Sequence, residues 1–368
     1  MANTFLTTQT IARQALLRLR ANEVMTQFVN RDFENDYADQ GDTIRARVPA
    51  TATANEFTST ITVQDITEDS TNIQLDTIAD VSFELTSKQR TLNISDFSFQ
   101  VIEPAVVALA EKIDQDINAK YVDVPYFAGT AGTTPSTLAD IAAVRKVLAD
   151  NKVPNSQRRL VLDTASTASM LALDSLVEVD KSGMDETLRN ALIGRVYNFE
   201  LAESQHINDH TAGVYAALLD VTGTGSAAAT SVVLTSAAGT STATLLEGDL
   251  LTIDGNQHVV TADTAAAVAG VVTAAIYPAI PTGGYSADAA TFVASHTANL
   301  AFHRNAITLA VRPMALPEGA NGYVTSFDNL AIRVVEDYTS STKMHTISFD
   351  ILYGIKVTQP ELAARLLG

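Results

Sequence analysis

The segment AESQHINDHTAG, residues 202 to 213, places His206 and His210 four positions apart with Asp209 between them. On a helix the two imidazoles would share one face, and Asp209 would add an oxygen, which is the raw material of a zinc site. The metalloprotease version needs a glutamate beside the first histidine, and here Ile207 stands there. The segment also follows a strand-like run and heads toward Gly213, so a polar loop is the expected structure and no metal site is assigned. His303-Arg304, in LAFHRNAITLAV, is the other candidate for chemistry. With no cysteine and no G-x-S-x-G turn to supply a nucleophile, His303 reads as a structural histidine between apolar runs. The glycine-rich TGTGSA (222 to 227) lacks the lysine of a phosphate-binding loop and reads as a linker. No catalytic residue, no metal ligand and no cofactor is expected, and the chain reads as a non-enzyme.

Composition narrows the remaining classes. A chain of 368 residues exceeds one compact core, so two or three domains are expected. Without cysteine there are neither disulfides nor thiolate sites. The net charge of −18 repels nucleic acid at long range and argues against sequence-specific DNA or RNA binding. No apolar run reaches the roughly 18 residues of a bilayer span, and the opening lacks the apolar core of a secretory signal. Arg13, Arg18 and Arg20, with no acid before Glu23, give the opening some likeness to an organelle presequence, but the segment has a structural role as an amphipathic helix. Between Arg195 and Arg304 there is no lysine or arginine, which sets that stretch apart as its own unit.

The elements follow from periodicity. Residues 8 to 29 read as an amphipathic helix through Ile11, Ala15, Leu16 and Leu19, with Arg13 and Arg20 on a second face. IRARVPA and FTSTITVQDI alternate with period two, and residues 40 to 85 read as a long β-hairpin whose middle projects. Arg45 and Arg47 point to one strand face there, and Glu56 and Phe57 lie on the projecting part. A two-stranded ribbon is marginal alone and needs a surface to lie on. Ile102, Val106, Leu109, Ile113 and Ile117 form one helical stripe closed by Tyr121, with Asp96 as a candidate cap and the straight part starting near Glu103 because Pro104 suits a first turn. TLADIAAVRKVLADNKVP predicts a helix opened by Thr137 and Asp140, RRLVLD a buried strand, TASTASMLAL and DETLRNAL helices, and RVYNFELAES a strand, together a mixed α/β domain. About 221 to 298 predicts an inserted β-barrel or sandwich with a hairpin turn at Asp254-Gly255. NLAFHRNAITLAVRP returns to the body, DNLAIRVVEDY and MHTISFDILYGIKV are long strands, and PELAARLLG predicts a closing helix.

An arm, a ribbon, a long helix, an α/β domain, an inserted barrel and a strand pair, several unable to bury their faces alone, describe an assembly subunit. Their order resembles the major capsid (coat) proteins of tailed phages, the Hong Kong 97-like fold. MANTFLTTQTIARQALLRLRANEVMTQFVNRDF is similar to the N-arm of short-tailed-phage coat proteins, GDTIRARVPA leads into what would be the E-loop, and IEPAVVALAEKIDQDI resembles the spine helix. LIGRVYNFELAES resembles the A-domain, and ISFDILYGIKVTQPELAARLL, with Tyr353-Gly354 and Pro360-Glu361, the late strands. The resemblance implies an α+β fold with an N-arm (1–39), E-loop (40–85), P-domain with spine helix (86–134), A-domain (135–220), inserted β-barrel (221–298) and a return to the A- and P-domains (299–368). It implies hexamers and pentamers in an icosahedral virion shell, assembled in the host cytoplasm around double-stranded DNA that is contacted weakly and non-specifically. Scaffolding, portal and decoration proteins are the further partners it implies, with no membrane. Arg13, Arg18, Arg20, Arg45, Arg47, Glu56 and Phe57 are the candidate intersubunit or scaffold contacts. Residues 40 to 85 hold no lysine, so the isopeptide links made from the E-loop lysine of the founding member are excluded for that loop. Three other readings stand beside this one: an encapsulin-like compartment enclosing protein cargo, a secreted adhesin of acidic Thr/Ala/Gly-rich strands, and a metalloenzyme at His206 and His210.

Overall fold

The computed structural model describes residues 25–32, 43–48, 54–56, 69–86, 102–178, 193–218, 220–237, 242–317, 321–327 and 330–368, with positions 13, 15, 61, 63 and 319 between them. In chain order the elements are β1 (Thr43–Val48), β2 (Asp69–Gln74), β3 (Thr77–Thr86), α1 (Glu103–Ala119), β4 (Phe127–Ala128), α2 (Leu138–Asp150), β5 (Arg158–Leu162), α3 (Thr164–Leu171) and α4 (Asp174–Val177). Then follow β6 (Arg195–Val196), β7 (Phe199–Glu203), β8 (Asp209–His210), β9 (Val221–Gly225), β10 (Ser231–Ser236), β11 (Leu250–Ile253), β12 (Asn256–Val260), β13 (Val271–Tyr277) and β14 (Tyr285–Phe292). The chain closes with β15 (His296–His303), β16 (Ile307–Arg312), β17 (Asn321–Phe327), β18 (Leu330–Thr339), β19 (Met344–Val357) and β20 (Ala363–Leu367). Two compact units result, one of residues 1–23, 30–112 and 308–358, the other of 24–29, 113–307 and 359–368. Among the described residues no helix is long and apolar enough to cross a membrane.

In the first unit β1 and β2 pair antiparallel from Thr43 opposite Gln74 to Val48 opposite Asp69. Ile44 and Ile73 face each other across the pair and pack with Leu75 and Ala310. The ribbon expected over 40 to 85 is, in the described residues, this pair alone. β3 leaves it and pairs with β19 over ten positions, from Thr77 opposite Tyr353 to Thr86 opposite Met344. The physical reason is backbone satisfaction: β19 offers β3 a partner along its whole length, whereas β1 spans six residues already matched by β2. The sheet has the order β16-β19-β18-β17, with β3 on β19, and its core holds Leu330, Ile332, Val334, Phe349 and Ile351. Arg333 lies directly opposite Asp350, and its Nε and Nη2 reach Asp350 Oδ2 at 2.9 and 2.6 Å. Gly354 is required where β19 passes β2, because a Cβ there would stand 2.0 Å from the carbonyl oxygen of Gln74.

Helix α1 starts at Glu103, with Pro104 in its first turn, where the missing N–H costs nothing. Its stripe of Ile102, Val106, Leu109, Ile113 and Ile117 is buried as the spacing predicts, with Tyr121 beyond. Asp96, the expected cap, and DETLRNAL, an expected helix, lie outside the described residues.

The second unit is built on a sheet of order β4-β20-β15-β5-β7-β6, with β8 added to β15. Helix α2 opens with the capping box of Thr137 and Asp140 and lays Ile141, Val144 and Leu148 on Leu160, Leu162, Phe199 and Leu366. RVYNFELAES forms a tight hairpin, β6 to β7, through Tyr197 and Asn198, both at positive φ (48° and 70°).

Two expectations are corrected here. PELAARLLG does not close the chain as a helix: after a single 3-10 turn, Ala363–Leu367 is a strand, antiparallel to β15 and parallel to β4. All five of its residues are buried, and a short apolar run buried on both faces carries no period by which sequence separates strand from helix. TGTGSA is no linker either, since Val221–Gly225 is a barrel strand. Gly223 and Gly225 give room inside the barrel, where a Cβ would fall 2.8 Å from Ile253 Cδ1 and 2.3 Å from Ile280 Cδ1.

The barrel closes in the order β10-β13-β12-β11-β14-β9 around Val221, Val232, Leu234, Leu251, Ile253, Val260, Ala274, Ile276 and Tyr285. β10 alternates exposed and buried residues along its length, the period-two signal read from sequence. Asp254 and Gly255, at φ 48° and 76°, form the hairpin turn of β11 and β12. The barrel ends at Phe292, and His296 already belongs to β15 of the sheet.

Candidate functional site

For a chain whose chemistry-bearing residues are few, the informative sites are its buried polar groups and its exposed apolar and charged ones. The histidine segment comes first. Asp209–His210 is a two-residue strand on β15, with His296 opposite His210. The strand sends the two imidazoles to different neighbours. His206 Nδ1 meets Gln115 Nε2 at 3.4 Å, while His210 is buried between Tyr121 and Asp249. Asp209 Oδ1 accepts from Thr297 Oγ1 at 2.7 Å. Among the described residues no three histidine or carboxylate groups converge on one point.

His210 instead belongs to a buried polar cluster. Asp249, 1% exposed, accepts from His210 Nε2 at 2.9 Å, from the Gly213 N–H at 3.1 Å and from the Leu246 N–H at 2.8 Å. With Nε2–H given to Asp249, His210 Nδ1 accepts the phenolic proton of Tyr121 at 3.1 Å. Arg365 is fully buried on β20 and donates from Nε to Val124 O (3.0 Å), from Nη1 to Gly248 O (2.8 Å) and from Nη2 to Val122 O (3.2 Å). Its Cζ stands 5.0 Å from the Tyr121 ring centroid, a cation–π contact in a desolvated setting. Burial pulls the guanidinium down to about 9, which leaves it charged at neutral pH. The His296 ring lies against that of His210, tilted by 45° with centroids 5.2 Å apart, and gives Nδ1–H to Ala294 O at 2.8 Å. Burial, with Arg365 and His210 nearby, pushes it down to about 4.

Gly248 and Asp249 immediately precede β11, so this cluster fastens the entrance of the barrel to β20, β8 and the residues after α1. A second fastening lies beside it: the Gln257 side chain accepts from Phe127 N at 3.2 Å and donates to Phe127 O at 3.0 Å. Leu250, Val259 and Leu367 pack between them. Tyr277, pushed up to about 12 by burial and by Glu361 and Tyr126, closes the same edge. The barrel is seated on the sheet by charge-assisted bonds and apolar contact. Sequence reading missed Arg365 and Asp249; the available signal was an arginine inside the apolar run AARLLG. His303 Nδ1 accepts from the Asn305 N–H at 3.2 Å, and burial followed by Arg158 and Arg304 lowers its pKa.

The expected contact residues are spread along the first unit. Arg13 is exposed beside a buried Ala15, while Arg18, Arg20 and Phe57 lie outside the described residues. Arg45 is exposed on β1 opposite Asn72, Arg47 stands opposite Ser70, and Glu56 is exposed outside regular structure. Two residues that sequence reading passed over stand out: Ile61 is 80% and Val63 85% exposed. Burying either in a contact is worth about 1.5–3 kcal/mol. In the second unit Arg159, Glu200 and Arg195 form one cross-strand row over β5, β7 and β6, with Arg159 and Glu200 ion-paired.

No protein-family model and no curated protein matches the sequence. Among solved structures, a chain of Mycobacterium phage Che8 aligns over 93% of this chain and 90% of its own with a TM-score of 0.54 at 17% identity. The capsid chain of Ralstonia phage GP4 aligns over 91% and 86% with a TM-score of 0.50 at 10% identity. At these identities the likeness is one of fold, and it runs along nearly the whole chain.

Proposed function

We propose that this chain is the major capsid protein of a tailed phage, of the Hong Kong 97-like class, and that it assembles as hexamers and pentamers into an icosahedral virion shell around double-stranded DNA. The observation that carries the reading is the fold shared along nearly the whole chain with phage capsid structure. It is supported by surfaces a solitary subunit has no use for, above all a two-stranded ribbon and the nearly bare Ile61 and Val63. On this reading residues 1–39 are the N-arm, 40–85 the E-loop, 86–134 the P-domain with α1 as its spine, 135–220 the A-domain, 221–298 the inserted barrel domain, and 299–368 the return. The role is mechanical. The ribbon lies across an adjacent subunit and buries there what it exposes alone, through Arg45, Arg47, Glu56 and Phe57. The N-arm reaches a neighbour or an internal scaffold through Arg13, Arg18 and Arg20. The acidic surface suits a container whose DNA must slide during packaging. Portal and decoration proteins complete the virion, assembled in the host cytoplasm.

Electron microscopy of the protein expressed alone, with sedimentation for size, tests this. Closed shells of uniform diameter, or spirals and tubes that close when a scaffold is added, are the expected result. A monomer that persists at high concentration and with added scaffold would overturn it. Shells that hold protein cargo in place of DNA when purified from their natural source would point to a cellular compartment.

A further inference from the structure

The second unit has unlike electrostatic ends. At one edge of its sheet, β6 presents Arg195, exposed, next to Glu200 of β7 and Arg159 of β5 in a single cross-strand row. The pKa of Arg159 is lowered by burial and then by the charges of Arg195 and Arg304. One carboxylate, Glu200, stands between Arg159 and Arg195 in that row and is already ion-paired with Arg159, so the exposed Arg195 leaves the row with a net positive charge. At the opposite edge, β4 holds the barrel through Gln257, two positions after the Gly255 turn. That turn exposes Asp254, and the β11–β14 register, with Ile253 opposite Ala290, brings it beside Asp288 at one end of the barrel. No lysine or arginine lies between Arg195 and Arg304, so the barrel has no cation of its own to neutralise them.

The edges β4 and β6 are five strand steps apart in the order β4-β20-β15-β5-β7-β6, about 24 Å at the usual strand spacing. The two patches of one subunit do not meet. We propose that they meet between subunits: the acidic end of the barrel, at Asp254 and Asp288, docks on the arginine row of Arg195 and Arg159 in a second copy of this chain. The occupant is chosen by charge complementarity. A chain with net charge −18 offers few basic landing places, and its barrel is a folded unit bearing acids alone. Unlike patches on opposite edges make a heterologous, head-to-tail contact, and such a contact closes into a ring when the rotation per subunit allows. This inference rests on the capsid reading and specifies which surfaces build its rings.

The test is assembly without nucleic acid, read by sedimentation as the protein concentration at which shells or rings form. Arg195→Glu and Asp254→Lys each raise that concentration by at least about threefold at low salt, and less at high salt where exposed pairs are screened. The double variant, Arg195→Glu with Asp254→Lys, restores it. Circular dichroism and melting of each variant confirm the fold, and Arg195→Gln or Asp288→Lys replaces a variant that does not fold. If the wild type assembles and the single reversals assemble equally well, the docking is wrong. If they fail and the double reversal fails equally, the two patches do not face each other and the docking is again wrong. If reversal leaves empty-shell assembly intact and alters DNA retention alone, the arginine row faces DNA. A wild type that stays monomeric at high concentration and with added scaffold overturns the capsid reading itself, a result separate from these.

Discussion

Arg365 Nη1 donates to the carbonyl oxygen of Gly248 at 2.8 Å, across 117 residues of sequence, and so ties the last strand to the entrance of the barrel. The bond is one of three from the same guanidinium to backbone carbonyls, and hydrogen bonds to a charged group are worth more than neutral ones.

Arg365→Met keeps the volume of the side chain and removes all three bonds. The Gly248, Val122 and Val124 carbonyls then lose a buried donor. A loss of about 3–5 kcal/mol in unfolding free energy is expected. Amide hydrogen exchange should show early opening at residues 246 to 260, while the sheet core around Leu160 and Phe199 stays protected.

His296 predicts an acid limb in stability. Its ordinary value of 6.5 falls to about 4 in the folded state, because burial disfavours the charged ring. The unfolded chain therefore binds the proton first as pH falls. Stability is fully present above about pH 6.5, is lost between 6.5 and 4, and is flat with respect to this group below 4, for a total of about 3 kcal/mol. His258 and His303, also lowered by burial, act in the same direction. His296→Asn, which preserves a donor toward Ala294, flattens the slope of urea midpoint against pH; an unchanged slope would remove His296 from the account.

Gly354→Ala places a methyl group against the Gln74 carbonyl, a fixed backbone atom that cannot rotate away. The expected cost is about 3 kcal/mol. It should be localised, with faster proteolysis within residues 43 to 74 while the barrel retains its melting behaviour.

Ile61→Ser and Val63→Ser act on assembly. Both side chains are largely in water, so the isolated subunit should change by less than about 0.5 kcal/mol. If they are covered in the shell, each contact loses at least about 1 kcal/mol, and the double variant assembles only at several-fold higher concentration. Equal assembly would show that this part of the ribbon stays bare.

Charge reversal at Arg13, Arg18 and Arg20 together lowers assembly yield if the arm is an electrostatic dock, and more so at low salt. Unchanged yield would leave the arm as a packing element.

Local patterns were legible where one face of an element is buried. The stripe from Ile102 to Ile117, the box of Thr137 and Asp140, the alternation of β10 and the Asp254-Gly255 turn all follow from periods and turn chemistry that neighbouring residues decide. The sequence by itself therefore determined the helix stripe, the capped helix, the alternation of β10, the Asp254-Gly255 turn and the acidic isolation of the barrel, but not its strand β9, which read as a linker. Tertiary structure alone decided the rest. Ala363–Leu367 became a strand because β4 and β15 supply backbone partners on both sides, information stored more than 60 residues away. β3 left the ribbon because β19 matched its whole length. The fate of His210 was set by Tyr121 and Asp249, each distant in sequence. Burial of a polar group is stable only when its partners arrive, and a linear pattern does not state which distant groups will arrive.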